Sequence, residues 1–180
     1  MGKQLESISP VLNEFIRKQH MFFVGTAASD GRVNISPKGM DSLRIINPNQ
    51  VVWLNSTGSG NESAAHILEL PRMTIMFCAF EGAPMILRLF GTARAVHPRD
   101  AEWNEMLALF PETPGSRQIF ILEVDLVQTS CGMAVPFYEH SGTREDLNDY
   151  WAARTPEQIE TYWQNKNVNS IDGKPTKIFG

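Results

Sequence analysis

Residues 51–70, VVWLNSTGSGNESAAHILEL, predict a buried strand, a polar loop and a short helix in immediate succession. The first four residues are apolar and β-prone, as in a buried strand. Residues 55–60 supply hydroxyls, an amide and two glycines, and Asn61 is the predicted N-cap of a helix over residues 62–70. Free N–H groups at such a helix start favour an anion such as phosphate. An ordinary loop that caps an ordinary helix explains the same pattern equally well.

Two known phosphate-binding patterns are excluded for this loop. A P-loop ends in Gly-Lys-Ser/Thr, and no lysine follows Gly60. Residues 58–63, GSGNES, lack the third glycine of a dinucleotide-binding fingerprint. A phosphate bound here therefore belongs to another architecture.

The flanking sequence predicts a mainly β fold with helices around it. Apolar, β-prone runs predict strands over residues 21–28, 32–36, 43–46, 51–54, 73–80, 85–96 and 119–127, with residues 128–132 continuing or ending the last strand. Besides the helix after the loop, helices are predicted from Ser9-Pro10 onward and over residues 100–110, 144–153 and 156–166. Most links between strands have hairpin length, which favours an antiparallel barrel over a doubly wound parallel sheet. We therefore predict a single α+β domain over residues 1–180, built on a six- to seven-stranded antiparallel split β-barrel.

The second predicted strand carries a polar face. Asn34 and Ser36 point to one side of it, while Val33 and Ile35 point to the other. A polar face of this kind is either solvated or lines a polar ligand. A Pro-Lys-Gly sequence then breaks the strand, so that Lys38 is a cation fixed at its end.

Other residues offer few groups for catalysis. Arg88 interrupts an apolar strand and faces either solvent or an anion, and Gly91 in the same strand predicts a bulge or a close approach. Cys131 could be reactive, although half-buried thiols are usually inert. Because no nucleophile or acid–base set stands out, a bound cofactor is the better candidate to carry any chemistry.

Composition excludes several classes of protein. The net charge of −4 does not favour nucleic acid or an anionic membrane, and no apolar run approaches the ~18 residues of a transmembrane helix. The first residues lack the apolar stretch of a signal peptide. Cys78 and Cys131 are predicted free thiols of a cytoplasmic protein, and the four histidines show no metal-ligand spacing.

Six short segments follow one another in a characteristic order. They are VGTA at residues 24–27, DGRVNISPKG at 30–39, LNSTGSGNE at 54–62, FCAFEG at 77–82, LRLFG at 87–91 and QTSCG at 128–132. Together they resemble the pyridoxamine 5′-phosphate oxidase-like family of FMN-binding split barrels, particularly its uncharacterised bacterial members. The resemblance extends over residues 10–175 and rests on the order and spacing of all six segments.

This resemblance implies a split-barrel homodimer that binds two FMN molecules in clefts at the subunit interface. Lys38 matches the phosphate-binding lysine at the end of a strand that runs along the flavin. Residues 55–61 match the loop around the phosphate and the ribityl chain. Ser130 and Cys131 match a strand end that reaches the ring system from the partner subunit.

The sequence departs from the oxidases at two places. Gly60 and Asn61 stand where the oxidases carry an Arg-Lys pair, so two cations are missing. Phosphate binding would then depend on Lys38, on loop N–H groups and on hydroxyls, with Arg88 as the candidate compensating cation. The C-terminal segment does not match the substrate contacts of the oxidases, so oxidation of pyridoxamine phosphate itself is not expected.

We therefore expect an FMN-dependent oxidoreductase of unknown substrate and electron donor, with hydride transfer through flavin N5. The predicted cofactor-binding residues are Asn34, Ser36, Lys38, Asn55, Ser56, Thr57, Ser59, Gly60, Asn61, Arg88, Ser130 and Cys131. No metal, nucleic acid or membrane is expected to take part. The alternatives are a flavin carrier or sensor without turnover, a related barrel that binds deazaflavin or haem, and an interaction module.

Overall fold

In a computed structural model that describes residues 2–180, the chain forms a mainly antiparallel β domain with flanking helices, as predicted. Within these residues the strands are β1 (Lys3–Leu5), β2 (Phe22–Thr26), β3 (Asn34–Lys38), β4 (Leu43–Asn47), β5 (Gln50–Ser56), β6 (Arg72–Cys78), β7 (Ile86–Val96) and β8 (Ser116–Ser130). The helices are α1 (Pro10–Arg17), α2 (Glu62–Glu69), α3 (Trp103–Leu107), α4 (Asp146–Ala152) and α5 (Pro156–Lys166). None of the helices within residues 2–180 is both long and apolar enough to cross a bilayer.

The strands form one sheet in the order β3-β2-β6-β7-β8-β5-β4, with β1 added to β8. Every pairing is antiparallel. The outer strands β3 and β4 do not pair with each other within residues 2–180, so the barrel is not closed. The eighth strand, β1, was not predicted, because its three residues are all exposed and carry no apolar alternation.

The hydrophobic core lies on both sides of β5. Trp53 stacks on Phe120 of β8 with ring centres 4.8 Å apart, inside the main core. The alternate residues Val52 and Leu54 face a second cluster that contains Trp103 of α3. Because both faces of β5 are buried, its sequence is continuously apolar rather than alternating.

Several element bounds differ from the prediction. The predicted break at Pro37 is wrong, since β3 continues through Pro37 to Lys38. As β3 is an edge strand, the missing N–H of Pro37 costs no ladder hydrogen bond on its open side. The helix predicted over residues 100–110 is shorter, Trp103–Leu107, and β8 continues to Ser130, one of the two options left open.

Strands β7 and β8 pack closely at Gly91. Their register shifts between Phe90 and Gly91, as predicted for a bulge. A methyl group at Gly91 would lie 1.9 Å from the carbonyl oxygen of Glu123. We expect Gly91→Ala to lower the free energy of unfolding by about 3 kcal/mol, because the backbone of β8 must move. In the control Gly25→Ala the methyl group meets nothing nearer than 3.9 Å, and the expected change is within about 0.5 kcal/mol. Equal effects of the two variants in denaturant titrations would contradict this account.

Candidate functional site

A cavity of about 700 Å³ lies where the loop after β5 enters α2. Its walls come from β3, this loop, the first turn of α2, the start of β8 and the segment after α5. Eight of the twelve predicted cofactor-binding residues line it: Asn34, Ser36, Lys38, Asn55, Ser56, Ser59, Gly60 and Asn61. The volume lies within the range of roughly 300–1,000 Å³ that small-molecule sites occupy.

Strand β3 turns one polar face towards the cavity. Asn34, Ser36 and Lys38 are half-buried there, while Ile35 between them is exposed on the outer face. Ser36 Oγ donates to Asn34 Oδ1 at 3.1 Å, and Asn34 Nδ2 donates to Ser63 Oγ of α2 at 3.2 Å. The predicted alternation of this strand is confirmed, and its polar face lines the cavity.

Thr57 lies outside the cavity, although a ligand-binding hydroxyl was predicted there. Its side chain is fully buried, and Oγ1 donates to Gly115 O at 2.7 Å. The same oxygen accepts from Trp163 Nε1 at 2.7 Å. The Thr57 hydroxyl therefore supports the loop from behind instead of facing a ligand.

Asn61 lines the cavity, but its side chain has a different role from the predicted N-cap. No side-chain hydrogen bond caps α2. Instead, Asn61 Oδ1 accepts from Gln118 Nε2 at 2.7 Å, and Asn61 Nδ2 donates to Asn167 O at 3.3 Å. Asn61 therefore occupies the predicted N-cap position, but its buried amide binds the neighbouring strand and the C-terminal segment instead of capping the helix.

Three further predicted residues lie at the far ends of β7 and β8. Arg88 Nη1 donates to Ser130 Oγ at 3.1 Å, and Cys131 is exposed. None of the three lines this cavity. Within one protomer, Arg88 therefore does not supply the missing cation.

Arg117 supplies a cation that was not predicted. It lies at the start of β8 and is 2% exposed. Its Nη1 donates to Gly60 O at 2.9 Å and to Asn167 Oδ1 at 2.7 Å, while its Nε has no hydrogen-bond partner within residues 2–180. The available signal was a charged residue at the entrance of a long apolar run, RQIFILEV. The local sequence does not show that Arg117 forms a hydrogen bond with Gly60.

Arg117 is a buried cation and Lys38 a half-buried one, and neither forms an ion pair within residues 2–180. Lys38 Nζ lies 5.1 Å from the centre of the Trp53 ring. Burial, together with the charge of Arg117, lowers the pKa of Lys38 from 10.5 to about 8. Burial lowers the pKa of Arg117 from 12.5 to about 9. Both side chains are still protonated at neutral pH, and both would be stabilised by an anion.

Positive charge predominates in the cavity of a chain whose net charge is −4. Arg32 at the rim is paired with Asp172. The other charged residues of the lining are three cations, Lys38, Arg117 and Lys166, and one carboxylate, Glu62. The excess of cations is therefore a local feature that attracts an anion.

The loop adds backbone donors to these cations. The N–H groups of residues 58–61 donate to no acceptor within residues 2–180, whereas the N–H of Thr57 donates to Gly115 O. These free groups precede the first turn of α2, where the helix dipole is positive. Free N–H groups beside buried cations form a suitable site for a phosphate group.

A buried polar network connects α2 to β2 behind the cavity. Thr26 Oγ1 lies 3.2 Å from Ser63 Oγ and 3.2 Å from His66 Nδ1. His66 is 1% exposed, and its Nε2 has no partner within residues 2–180. No group of three or more His, Cys, Asp or Glu side chains in these residues is arranged to hold a metal ion.

A second cavity, of about 1030 Å³, has a different character. Its lining, from α1, β2 and the loops around Phe80 and Tyr138, is mainly apolar and aromatic. The rings of His20 and His140 stack there with centres 3.7 Å apart. Its charged residues are Lys18 and three carboxylates, those of Glu14, Glu81 and Glu139. This balance does not favour a phosphate.

The buried charge of Lys38 should make stability depend on pH. We expect Lys38→Met to raise the melting temperature of the ligand-free protein at neutral pH, because it removes a half-buried cation that has no carboxylate partner within residues 2–180. The folded pKa of about 8 lies below the unfolded value of 10.5. Between these values the unfolded state binds more protons, so the stability of the wild type rises with pH. The advantage of the variant should therefore be full below pH 8 and shrink towards pH 10.5.

The matched control is Lys166→Met, which changes an exposed lysine on the same cavity. It should leave the melting temperature nearly unchanged throughout the same pH series. An advantage of Lys38→Met that did not vary with pH would show that Lys38 carries no burial penalty.

Comparison with known proteins shows the family of this chain. The family model described as pyridoxamine 5′-phosphate oxidase matches residues 8–131. The pyridoxamine 5′-phosphate oxidase family protein ustO of Aspergillus flavus is 38% identical over 140 residues, which are 74% of this chain and 56% of the relative. The chain thus spans a little over half the length of this curated relative.

Two solved structures share the fold at low sequence identity. A pyridoxamine 5′-phosphate oxidase-related, FMN-binding protein from Nostoc punctiforme has a TM-score of 0.51 and 14% identity, covering 73% of this chain and 89% of its own. The haem storage protein HutZ from Vibrio cholerae has a TM-score of 0.51 and 19% identity, covering 70% and 97%. At these sequence identities the two structures show the fold alone. Because the family model covers more than half of the sequence, the chain belongs to the pyridoxamine 5′-phosphate oxidase family.

Proposed function

We propose that this protein binds FMN, with the phosphate held by Lys38, Arg117 and the N–H groups of residues 58–61. The observation that carries the proposal is the pair of buried cations without a carboxylate partner beside these free donors. A phosphate monoester carries a charge of about −1.5 to −2 and accepts several hydrogen bonds. It would neutralise both cations and remove the penalty that burial imposes on them.

The polar face of β3 supports a polyol chain that extends from this phosphate. Lys38, Ser36 and Asn34 follow one another on one face of the strand, at intervals of about 7 Å. Asn55 and Ser56 line the cavity opposite them. Hydroxyl and amide groups of this kind can donate hydrogen bonds to a ribityl chain and accept hydrogen bonds from it. A phosphorylated ligand without a polyol chain would leave these groups without a partner.

We further propose that the protein is an oxidoreductase. FMN, when bound, supplies redox chemistry that the side chains of the protein lack. The residues of the cavity bind and orient the cofactor and keep its polar part away from water. The substrate is a small molecule of unassigned identity. A carrier or sensor without turnover would bind FMN through the same residues.

A homodimer would complete the proposed cleft. Ile35 on the outer face of the edge strand β3 is 71% exposed, and nearby Val33 is 68% exposed. Exposed apolar residues on an open sheet edge favour association with another chain. Ser130 and Cys131 lie outside the cavity of their own protomer, so they would reach the flavin of a partner subunit. FMN would then lie at the subunit interface.

Haem is the second candidate ligand, and the second cavity favours it. This cavity is larger, mainly apolar and carries the two imidazoles of His20 and His140, a common type of haem ligand. The haem storage protein HutZ has a related fold. The FMN proposal is preferred, because a haem in the second cavity would leave the two cations of the first cavity without an anion.

Flavin binding can be tested with phosphate-containing and phosphate-free ligands. We expect the purified protein to retain FMN after desalting or to bind added FMN. Lys38→Met and Arg117→Met should each weaken FMN binding by at least about tenfold, because each removes a charge-assisted contact with the phosphate. Riboflavin, which lacks the phosphate, should be affected little.

Arg94→Met is the control, since Arg94 pairs with Glu102 at the surface. A colourless protein that binds no added FMN would overturn the proposal, and a Soret band would favour haem. Steady reduction of the flavin by NADH or NADPH, followed by reoxidation, would distinguish an enzyme from a carrier.

Light scattering tests the proposed dimer. We expect a mass twice the 20.2 kDa of the chain. Ile35→Glu should produce monomers and weaken FMN binding together, because it places a charge in the interface. Ile46→Glu, at a 45% exposed position of β4, is the matched control. A wild-type monomer that binds FMN fully would exclude a shared cleft.

A further inference from the structure

The C-terminal segment holds the loop through two of the loop's carbonyl groups. The family model ends at residue 131, so α4, α5 and the residues after them lie beyond the matched part of the chain. Trp151 of α4 donates from Nε1 to Thr57 O at 3.0 Å. Asn167, directly after α5, donates from Nδ2 to Gly58 O at 3.0 Å. Two successive loop carbonyls are thus held by the C-terminal segment.

These contacts orient the N–H groups of the loop. In a trans peptide the C=O of one residue and the N–H of the next point in opposite directions. Fixing the carbonyls of Thr57 and Gly58 therefore turns the N–H groups of Gly58 and Ser59 away from the C-terminal segment. Both glycine and serine line the cavity, and neither N–H has an acceptor within residues 2–180.

Asn167 also orients Arg117. Its Oδ1 accepts from Arg117 Nη1 at 2.7 Å, and the same Nη1 donates to Gly60 O at 2.9 Å. Anchoring Nη1 on both acceptors fixes the guanidinium plane. The hydrogen bonds that Arg117 makes within residues 2–180 all come from Nη1, so neither Nη2 nor the buried Nε has an acceptor there. Arg117 lines the cavity, and a guanidinium donor without an acceptor favours an anion in it.

The surroundings of Asn167 show a built site. Its side chain is 0% exposed, and its backbone oxygen accepts from Asn61 Nδ2 and from Thr176 Oγ1 at 2.6 Å. The residues that follow are tied to the β2–β3 loop and to the end of α2, since Lys174 pairs with Asp30 and Glu69. The position of Asn167 is therefore determined from both sides of the chain.

We propose that Asn167 is a positioning residue for phosphate, and that the C-terminal segment completes the anion site of this protein. This inference rests on the proposed FMN function. In the oxidases, an Arg-Lys pair at the positions of Gly60 and Asn61 would help to bind the phosphate. Here we assign part of that task to residues that lie beyond the matched part of the chain. Asn167 holds Arg117 and the N–H groups of the loop in the orientation that a phosphate needs, without touching the phosphate.

The test compares FMN, riboflavin and inorganic phosphate on full-length variants. Asn167→Ala should weaken FMN binding by about tenfold, because Arg117 loses its anchor and the loop carbonyl loses a donor. Riboflavin binding should change by less than about twofold, since its binding uses no phosphate contact. Asn167→Asp should weaken FMN further than Asn167→Ala, because its carboxylate would pair with Arg117 and repel the phosphate. A merely structural role would weaken both flavins alike.

Asn165→Ala is the matched control, because Asn165 is an exposed residue of α5 that lines neither cavity and makes no side-chain hydrogen bond within residues 2–180. Wild-type FMN affinity in a folded Asn167→Ala variant, or equal losses for both flavins, would overturn the inference.

The measurement with inorganic phosphate tests the inference separately from the proposed function. If the wild type binds no flavin, inorganic phosphate should still raise its melting temperature and raise that of Asn167→Ala less. The FMN function would then fail while the anion site stands. A wild type that responds neither to flavin nor to phosphate would overturn both.

Discussion

A buried arginine and a half-buried lysine, neither with a carboxylate partner within residues 2–180, are the constraint on which this site depends. Burial lowers the pKa values of Lys38 and Arg117, which means that the folded protein holds both charges at a cost. A sequence selected for stability alone would place apolar residues or an ion pair there. The surrounding polar strand face and free N–H groups have the same requirement, an anionic partner, and the proposed FMN phosphate meets it.

Strand β8 connects the parts of this arrangement. Its start carries Arg117 and Gln118, which hold the loop through Gly60 and Asn61. Its middle pairs with β5 and β7 through the core, and its end carries Ser130 beside Arg88. In the proposed dimer, the two ends of one strand would serve two different clefts. The length of β8, 15 residues, is therefore useful for function as well as for packing.

The candidate site shows why residue type predicts a lining better than it predicts a role. Asn34 and Ser36 were predicted from alternation, and Lys38 from its place at the end of the strand; both are local properties, and all three residues line the cavity. Thr57 and Asn61 were also predicted as ligands, yet their side chains bind Gly115 and Gln118 inside the protein. A sequence displays its donors and acceptors, but their partners depend on which segments the fold brings together.

The sequence by itself determined seven of the eight strands, the approximate positions of the helices, the glycine-rich loop and the lysine at the end of β3, because apolar periodicity and turn residues act over short distances. The tertiary structure decided which distant side chains contact the loop. Arg117 reaches Gly60 across 57 positions and Asn167 across 50, and Asn167 reaches Gly58 across 109. Such contacts leave no periodic signal, since they arise only when β8 and the C-terminal segment fold against the same loop. The two cations that seemed to be missing beside Lys38 are thus replaced, in part, by an arginine from a distant strand.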